Sequence, residues 1–332
     1  MVQHNIKRGV SLYSYQEEIF LGKLDLESAI AASASFGARG IEIIPEQSYD
    51  NFPNLTDQQI AEWFGLHEKY GTTPTAYDMF IDLKRRKDRL MTIDEGVESL
   101  VRDIKLANKL GCKVIRVIIN TPPEVFEKAA PYAEEYDVKL AVEIHSPMRY
   151  DQRWVLPFID VIHKVDNGYL GLLPDMGTFV RKFPRIQIER ALRDGATPKL
   201  VDKIVKVYND HEATDLQVLP VEINWAGGNP ADLALANAAC MYNWVDPKTM
   251  LPHMPYLFHI QAKFYEMLDD ETEYSIPYDE IIPVLIEGGY NGYLSSEYEG
   301  NRHIQDIHEV DSVEQVRRQH AMFAKLLGET QA

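Results

Sequence analysis

Residues 114–147, VIRVIINTPPEVFEKAAPYAEEYDVKLAVEIHSP, decide the fold class. Val114-Ile115-Arg116-Val117-Ile118-Ile119 is a short run of β-branched residues, too short for a helix and typical of a buried strand. From Pro122 to Tyr136 the apolar residues recur at helical spacing, with proline at the start where its missing N–H costs nothing. Leu140-Ala141-Val142-Glu143-Ile144 then reads as a second buried strand. A strand, a crossover helix and another strand in about thirty residues make a parallel βαβ unit.

The same alternation runs outward in both directions. Upstream strands are read at Gly9–Tyr13, Gly40–Ile44 and Thr73–Tyr77; downstream ones lie at Leu170–Leu173, Tyr256–Ile260 and Gly292–Ser296. Between them Asp25 caps an alanine-rich helix that stops at Gly37, Thr56–Tyr70 stops at Gly71, and Thr92–Leu110 stops at Gly111. Gln152–Val165, Tyr278–Glu287 and Ser312–Leu327 complete the helices. Eight strands alternating with helices predict a (β/α)₈ barrel of the TIM type. One connection is too long, an excursion of about seventy residues from Pro184 to Met254 between the sixth and seventh strands. It holds a charged helical stretch (Thr197 to Ala213), the loop Trp225–Pro230 and an alanine-rich helix to Met241. The run Val218–Ile223 could serve as a barrel strand, but is assigned to the excursion. With no linker composition, repeat or low-complexity segment, residues 1–332 read as a single domain.

Composition narrows the function classes. The 332 residues are 45% hydrophobic and 26% charged, which suits a globular core and excludes disorder. A net charge of −17 repels phosphate backbones and argues against nucleic acid as a partner. No apolar run approaches the length of a membrane helix, and no signal peptide opens the chain. Two cysteines, Cys112 and Cys240, are too few for a disulfide framework. A cytoplasmic location is expected.

In such barrels chemistry sits at the C-terminal ends of the strands. The fifth strand ends in Glu143-Ile144-His145, the sixth in Asp175, and the eighth in Glu297-Tyr298-Glu299; the seventh continues as His259-Ile260-Gln261-Ala262-Lys263. One such residue is commonly a solvated rim group. Several carboxylates converging on successive strands repel one another unless a cation holds them. Mixed oxygen and nitrogen donors suit a divalent ion, Mn²⁺ before Mg²⁺, Co²⁺ or Zn²⁺. His145 stands on the same strand face as Glu143 and suits a neighbouring base or a fifth ligand. Lys263 is placed to neutralise an oxyanion or to complete the carboxylate cluster. Glu42, Glu46, Asp78 and Arg116 are weaker rim candidates, as are His303 and His308. His4, His163, His211 and His320 are read as belonging to the N-terminal tail or to helix surfaces. No Gly-rich phosphate loop occurs.

This pattern resembles the metal site of the xylose-isomerase-like barrel superfamily, and the resemblance covers nearly the whole chain. It implies Glu143, Asp175, His259 and Glu297 as the metal ligands. Two departures separate the chain from the superfamily's epimerases: Thr178 stands where many have histidine, and His145 accompanies Glu143. Glu143-Ile144-His145-Ser146-Pro147, with Gly9-Val10-Ser11-Leu12-Tyr13-Ser14-Tyr15 and the excursion, looks more like the α subunit of bacterial C-glycoside deglycosidases. That resemblance implies a Mn²⁺-dependent barrel subunit paired with a small β-sheet β subunit. It also implies cleavage of the carbon–carbon bond between a 3-oxo-sugar and a flavonoid-like aglycone.

The residues suit that chemistry. A C-glycosidic bond has no bridging oxygen to protonate, so the paired-carboxylate hydrolase route fails. A C3 ketone acidifies the C2 proton, a divalent ion stabilises the enolate, and histidines exchange protons near neutral pH. The same groups would serve a metal-dependent sugar isomerase or epimerase, the alternative reading. A repair endonuclease on a related barrel would need more rim histidines and a polyanion-binding surface. A non-catalytic scaffold would leave the rim residues without a role.

Overall fold

The computed structural model describes residues 4–210, 216–242 and 244–329. His211 and the expected helix end at Ala213 lie outside the described residues, as do the first three residues. Eight strands form one all-parallel sheet: β1 Lys7–Ser11, β2 Gly40–Ile43, β3 Thr73–Asp78, β4 Val114–Val117, β5 Lys139–Ile144, β6 Leu170–Pro174, β7 Ile260–Phe264 and β8 Tyr293–Tyr298. Their order is β6-β5-β4-β3-β2-β1-β8-β7, and single bridges Leu172↔Leu257 and Asp175↔Gln261 join β6 to β7 and bring the barrel round. The fold is a TIM barrel.

Local signals set the helices. Asp25, Thr56 and Thr92 each close a capping box around the helices Leu26–Ser35 (α1), Asp57–Tyr70 (α2) and Ile93–Lys109 (α3). The helices after β4 and β5 are Pro123–Glu135 (α4) and Leu156–Val165 (α5). Between β6 and β7 the chain forms Arg185–Arg193 (α6), Pro198–Asn209 (α7), Leu219–Trp225 (α8) and Pro230–Met241 (α9), then a 3₁₀ stretch over Pro247–Tyr256. The run Val218–Ile223 is therefore helical. Tyr278–Glu287 (α10) and Ser312–Leu326 (α11) complete the outer layer. Their apolar faces bury the outward side chains of the strands, among them Ile260, Ala262 and Phe264, which are fully buried in one continuous core.

Strand β7 departs from its sequence reading. The sequence places the strand at Tyr256–Ile260, yet the ladder with β8 runs from Ile260 to Phe264, and Leu257 and Phe258 make only isolated contacts with Leu172 of β6. Pro252 and Pro255 lie inside the 3₁₀ stretch, and the approach to β6 is close. A Cβ added at Gly171 would lie 2.4 Å from both the Phe258 ring and the Tyr256 carbonyl oxygen. The displacement by four residues changes which polar side chains reach the mouth.

Candidate active site at the barrel mouth

The inner face of the barrel is polar from β2 to β8. Glu42, Asp78, Arg116, Glu143, Asp175, Gln261, Lys263 and Glu297 are all buried. In the β7–β8 register Lys263 stands opposite Glu297 and Gln261 opposite Ser295. Lys263 Nζ lies 2.6 Å from Asp175 Oδ2 and 3.5 Å from both Glu297 Oε2 and Glu299 Oε1. The Tyr13 hydroxyl donates to Glu299 Oε1 at 3.0 Å. His145 Nε2 is 3.6 Å from Asp175 Oδ2, with its side chain 41% exposed toward the mouth. Arg116 bridges inward, with Nη1 at 3.4 Å from Glu143 Oε2 and Nε at 3.4 Å from Asp78 Oδ1.

The sequence-derived candidates thus divide. Glu143, Asp175, Glu297, His145 and Lys263 come together at the C-terminal mouth. His259 does not join them, because β7 starts one residue after it. It sits beside the cavity at the N-terminal end of the barrel with Lys7, Lys113 and Lys139, and its Nε2 lies 2.6 Å from Glu42 Oε2. It cannot share an ion with Glu297 two layers above. The residue of β7 nearest that role is Gln261, bridged to Asp175 and fully buried. The signal for it was the period-two polarity of Gln261 and Lys263 in an otherwise apolar strand. Glu46 and His308 are exposed, and His303 is half-buried on the short helical turn Asn301–Ile304 after β8. His320, expected on a helix surface, is fully buried against Arg8 and Ser296.

Electrostatics at the mouth are unbalanced. Six carboxylates (Glu42, Asp78, Glu143, Asp175, Glu297, Glu299) face two permanent cations, Arg116 and Lys263. Burial raises the Glu297 carboxyl well above its usual range; Lys263 opposes this, and Asp175 and Glu299 add to it. Burial works against the Lys263 ammonium, but Asp175, Glu297 and Glu299 more than compensate and hold it protonated. Asp78 is likewise pushed well up by burial and by Glu42. Burial also opposes the Glu42 charge, but the His259 ring together with hydrogen bonds from Gln261 and Asp78 outweighs it and keeps that carboxyl below the usual range.

Do these residues fit a divalent ion? Asp175 Oδ2, Gln261 Oε1 and Glu297 Oε2 are buried and accept no hydrogen bond; the Lys263 ammonium is close to Asp175 but off hydrogen-bond alignment. Unpaired buried oxygens and surplus negative charge are what a cation relieves. In this conformation no three His, Cys, Asp or Glu side chains among the described residues stand at metal-binding spacing, since the ammonium is inserted between Asp175 and Glu297. The donor set fits a hard ion once Lys263 gives way, with Gln261 in place of His259.

The family model of the xylose isomerase-like TIM barrel matches residues 30–326. The chain belongs to that family. It is 32% identical over 308 residues to a C-glycoside deglycosidase alpha subunit of Microbacterium trichothecenolyticum, covering 88% of this chain and 83% of the relative. It is 26% identical to a 3'-dehydrocarminate deglycosidase alpha subunit of a Microbacterium species, covering 98% and 96%. Among solved structures, D-psicose 3-epimerase of Clostridium cellulolyticum H10 superposes with a TM-score of 0.59 at 14% identity, covering 98% of this chain and 100% of that one. No described helix is long and apolar enough to cross a membrane.

Proposed function

We propose that this chain is the barrel subunit of a C-glycoside deglycosidase, acting as a carbon–carbon lyase on a 3-oxo-C-glycoside with a small β-sheet subunit as partner. The observation that carries the reading is His145 at the edge of the Asp175–Lys263–Glu297 cluster, in a chain whose relatives are deglycosidase alpha subunits. A 3-oxo sugar is favoured because one relative acts on a 3'-dehydro glycoside by name.

Glu143, Asp175, Gln261 and Glu297 would hold a divalent ion, with Mn²⁺ suited to their oxygen donors. When bound it would supply Lewis-acid polarisation of the sugar carbonyl. His145 takes the C2 proton, and the electron pair of the C2–H bond moves onto the C3 oxygen. The Lys263 ammonium faces that developing negative charge. Collapse of the enolate restores the C3 carbonyl, forms the C1–C2 double bond and breaks the C1–aglycone bond. Its electron pair leaves on the aglycone carbon, which recovers the proton held by His145. Atoms and charge balance without an added oxidant. Arg116 holds Glu143 in place and offsets its charge.

The test is aglycone release. The chain, alone and co-purified with its small subunit, is incubated with a 3-oxo-C-glucoside and, separately, with D-fructose. Release of free aglycone from the glucoside with fructose unchanged is expected. Epimerisation of fructose with an intact C-glucoside would instead establish the isomerase reading.

A further inference from the structure

We propose that the base of the barrel, at the end opposite the mouth, binds a compact polyanion, either phosphate or a small polycarboxylate, with Lys7 and Lys139 as its principal contacts. No group in this site takes part in the proposed reaction, so the two stand or fall separately. Strand parity sets it up. In the β1–β8 ladder Lys7 pairs with Tyr293, which lies two residues before the inward-facing Ser295. On β5, Lys139 lies four residues before Glu143 and shares its face. A cavity of about 510 Å³ opens at this level, lined by Lys7, Lys113, Lys139, Asn291 and the rings of Phe258 and Tyr293.

Both rings are fixed in place. A Cβ added at Gly40 would lie 2.5 Å from the Tyr293 ring, and one at Gly171 2.4 Å from the Phe258 ring, so each ring fills the space a side chain would take. On these rings rest the two lysines. Lys7 Nζ lies 5.2 Å from the Tyr293 centroid and Lys139 Nζ 4.3 Å from the Phe258 centroid. An aromatic face orients an ammonium without neutralising it, and the ammonium groups of these exposed lysines stay accessible to a ligand.

The charge around the cavity is unbalanced in the opposite sense to the mouth. Among the described residues lining it, Asp137 is the one carboxylate, and it is engaged by Lys113 at 2.6 Å and by the Tyr169 hydroxyl at 3.2 Å. His259 also borders the cavity, with its Nε2 committed to Glu42 at 2.6 Å. Lys7 and Lys139 therefore leave two positive charges in excess, on a chain whose net charge is −17. Like charges held at one concavity repel, and the concave wall focuses their field, so an anion carrying two or more charges relieves both lysines at once. The Asn291 amide adds a neutral N–H donor to the same wall.

Calorimetric titration of the full chain with inorganic phosphate and, separately, with citrate at low ionic strength tests the assignment. At least one of the two should bind one-to-one. Lys139→Met keeps an apolar stem over Phe258 and removes the charge; it should weaken binding about tenfold, the loss of one charge-assisted contact. The double variant Lys7→Met/Lys139→Met should weaken it about a hundredfold while keeping the wild-type far-ultraviolet dichroism. Lys69→Met is the matched control, since that ammonium also lies over a ring, 5.1 Å from the Tyr70 centroid, but on α2 and paired with Glu27. It should change nothing. Tighter phosphate would assign the site to phosphorylated ligands, and tighter citrate to polycarboxylates. Absence of binding of both anions to the wild-type chain would overturn the proposal. So would binding that the double variant leaves unmoved, or that Lys69→Met weakens equally.

Discussion

His259, just before the seventh strand, and Gln261 within it both bond the Glu42 carboxylate, Gln261 donating to Oε1 at 2.8 Å and His259 lying 2.6 Å from Oε2. Gln261 is also level with Asp175 and keeps an unpaired carbonyl oxygen, whereas His259 lies one layer further toward the N-terminal end of the barrel. Gln261→Ala should therefore lower bound Mn²⁺ below stoichiometric, read by elemental analysis of the dialysed protein. His259→Ala should retain the ion but lose about 3–5 kcal/mol of stability, because it leaves the buried Glu42 carboxylate uncompensated. The opposite pattern would return His259 to the metal site. Glu143, Asp175, Glu297, His145 and Lys263 were legible because strand ends in this fold face the mouth. His259 misled because side-chain identity favoured a histidine ligand, while its height along the strand depends on pairing that no local run of residues specifies.

Strand β7 is the element where local hydrophobicity and tertiary pairing disagree. Tyr256–Ile260 is the more apolar run, but Phe258 is packed against Gly171 and the strand proper carries two buried polar residues. Gly171→Ala should test this closure. The added methyl meets a ring and a carbonyl that cannot both retreat, so a loss of about 1–3 kcal/mol is expected, as for overpacking elsewhere. Urea denaturation should show a lower midpoint at unchanged slope. A midpoint equal to wild type would mean that β6 and β7 approach less closely than described. The other seven strands lie within a few residues of their sequence reading. In those, hydrophobic runs, caps and stop glycines agree with one another. Helix α8 was harder to read, since Val218–Ile223 has strand-like composition and only Pro220 argues for a helical first turn.

Across the whole molecule, buried histidines make stability depend on pH. His320 joins α11 to the barrel, its ring nitrogens 3.3 Å from Arg8 Nη1 and 3.1 Å from Ser296 Oγ. Burial, helped by Arg8, pulls its pKa down to about 3. Unfolded histidine titrates near 6.5, so the stability from the neutral ring is fully present above that pH and is lost as pH falls toward 3. His320→Gln should consequently show a smaller drop in Tm between pH 7 and pH 5 than wild type; an equal drop would assign the acid sensitivity elsewhere. The same contrast between burial and exposure organises the candidate active site, where buried carboxylates in excess of their cations lie beside one partly exposed imidazole. The proposed reaction depends on proton abstraction by His145, and solvent-deuterium exchange at C2 of the 3-oxo sugar reads that step. Wild type should incorporate deuterium, and His145→Gln should slow incorporation by roughly 10²–10⁴ while keeping its fold and bound metal. Exchange at the wild-type rate in His145→Gln would show that another group removes the proton.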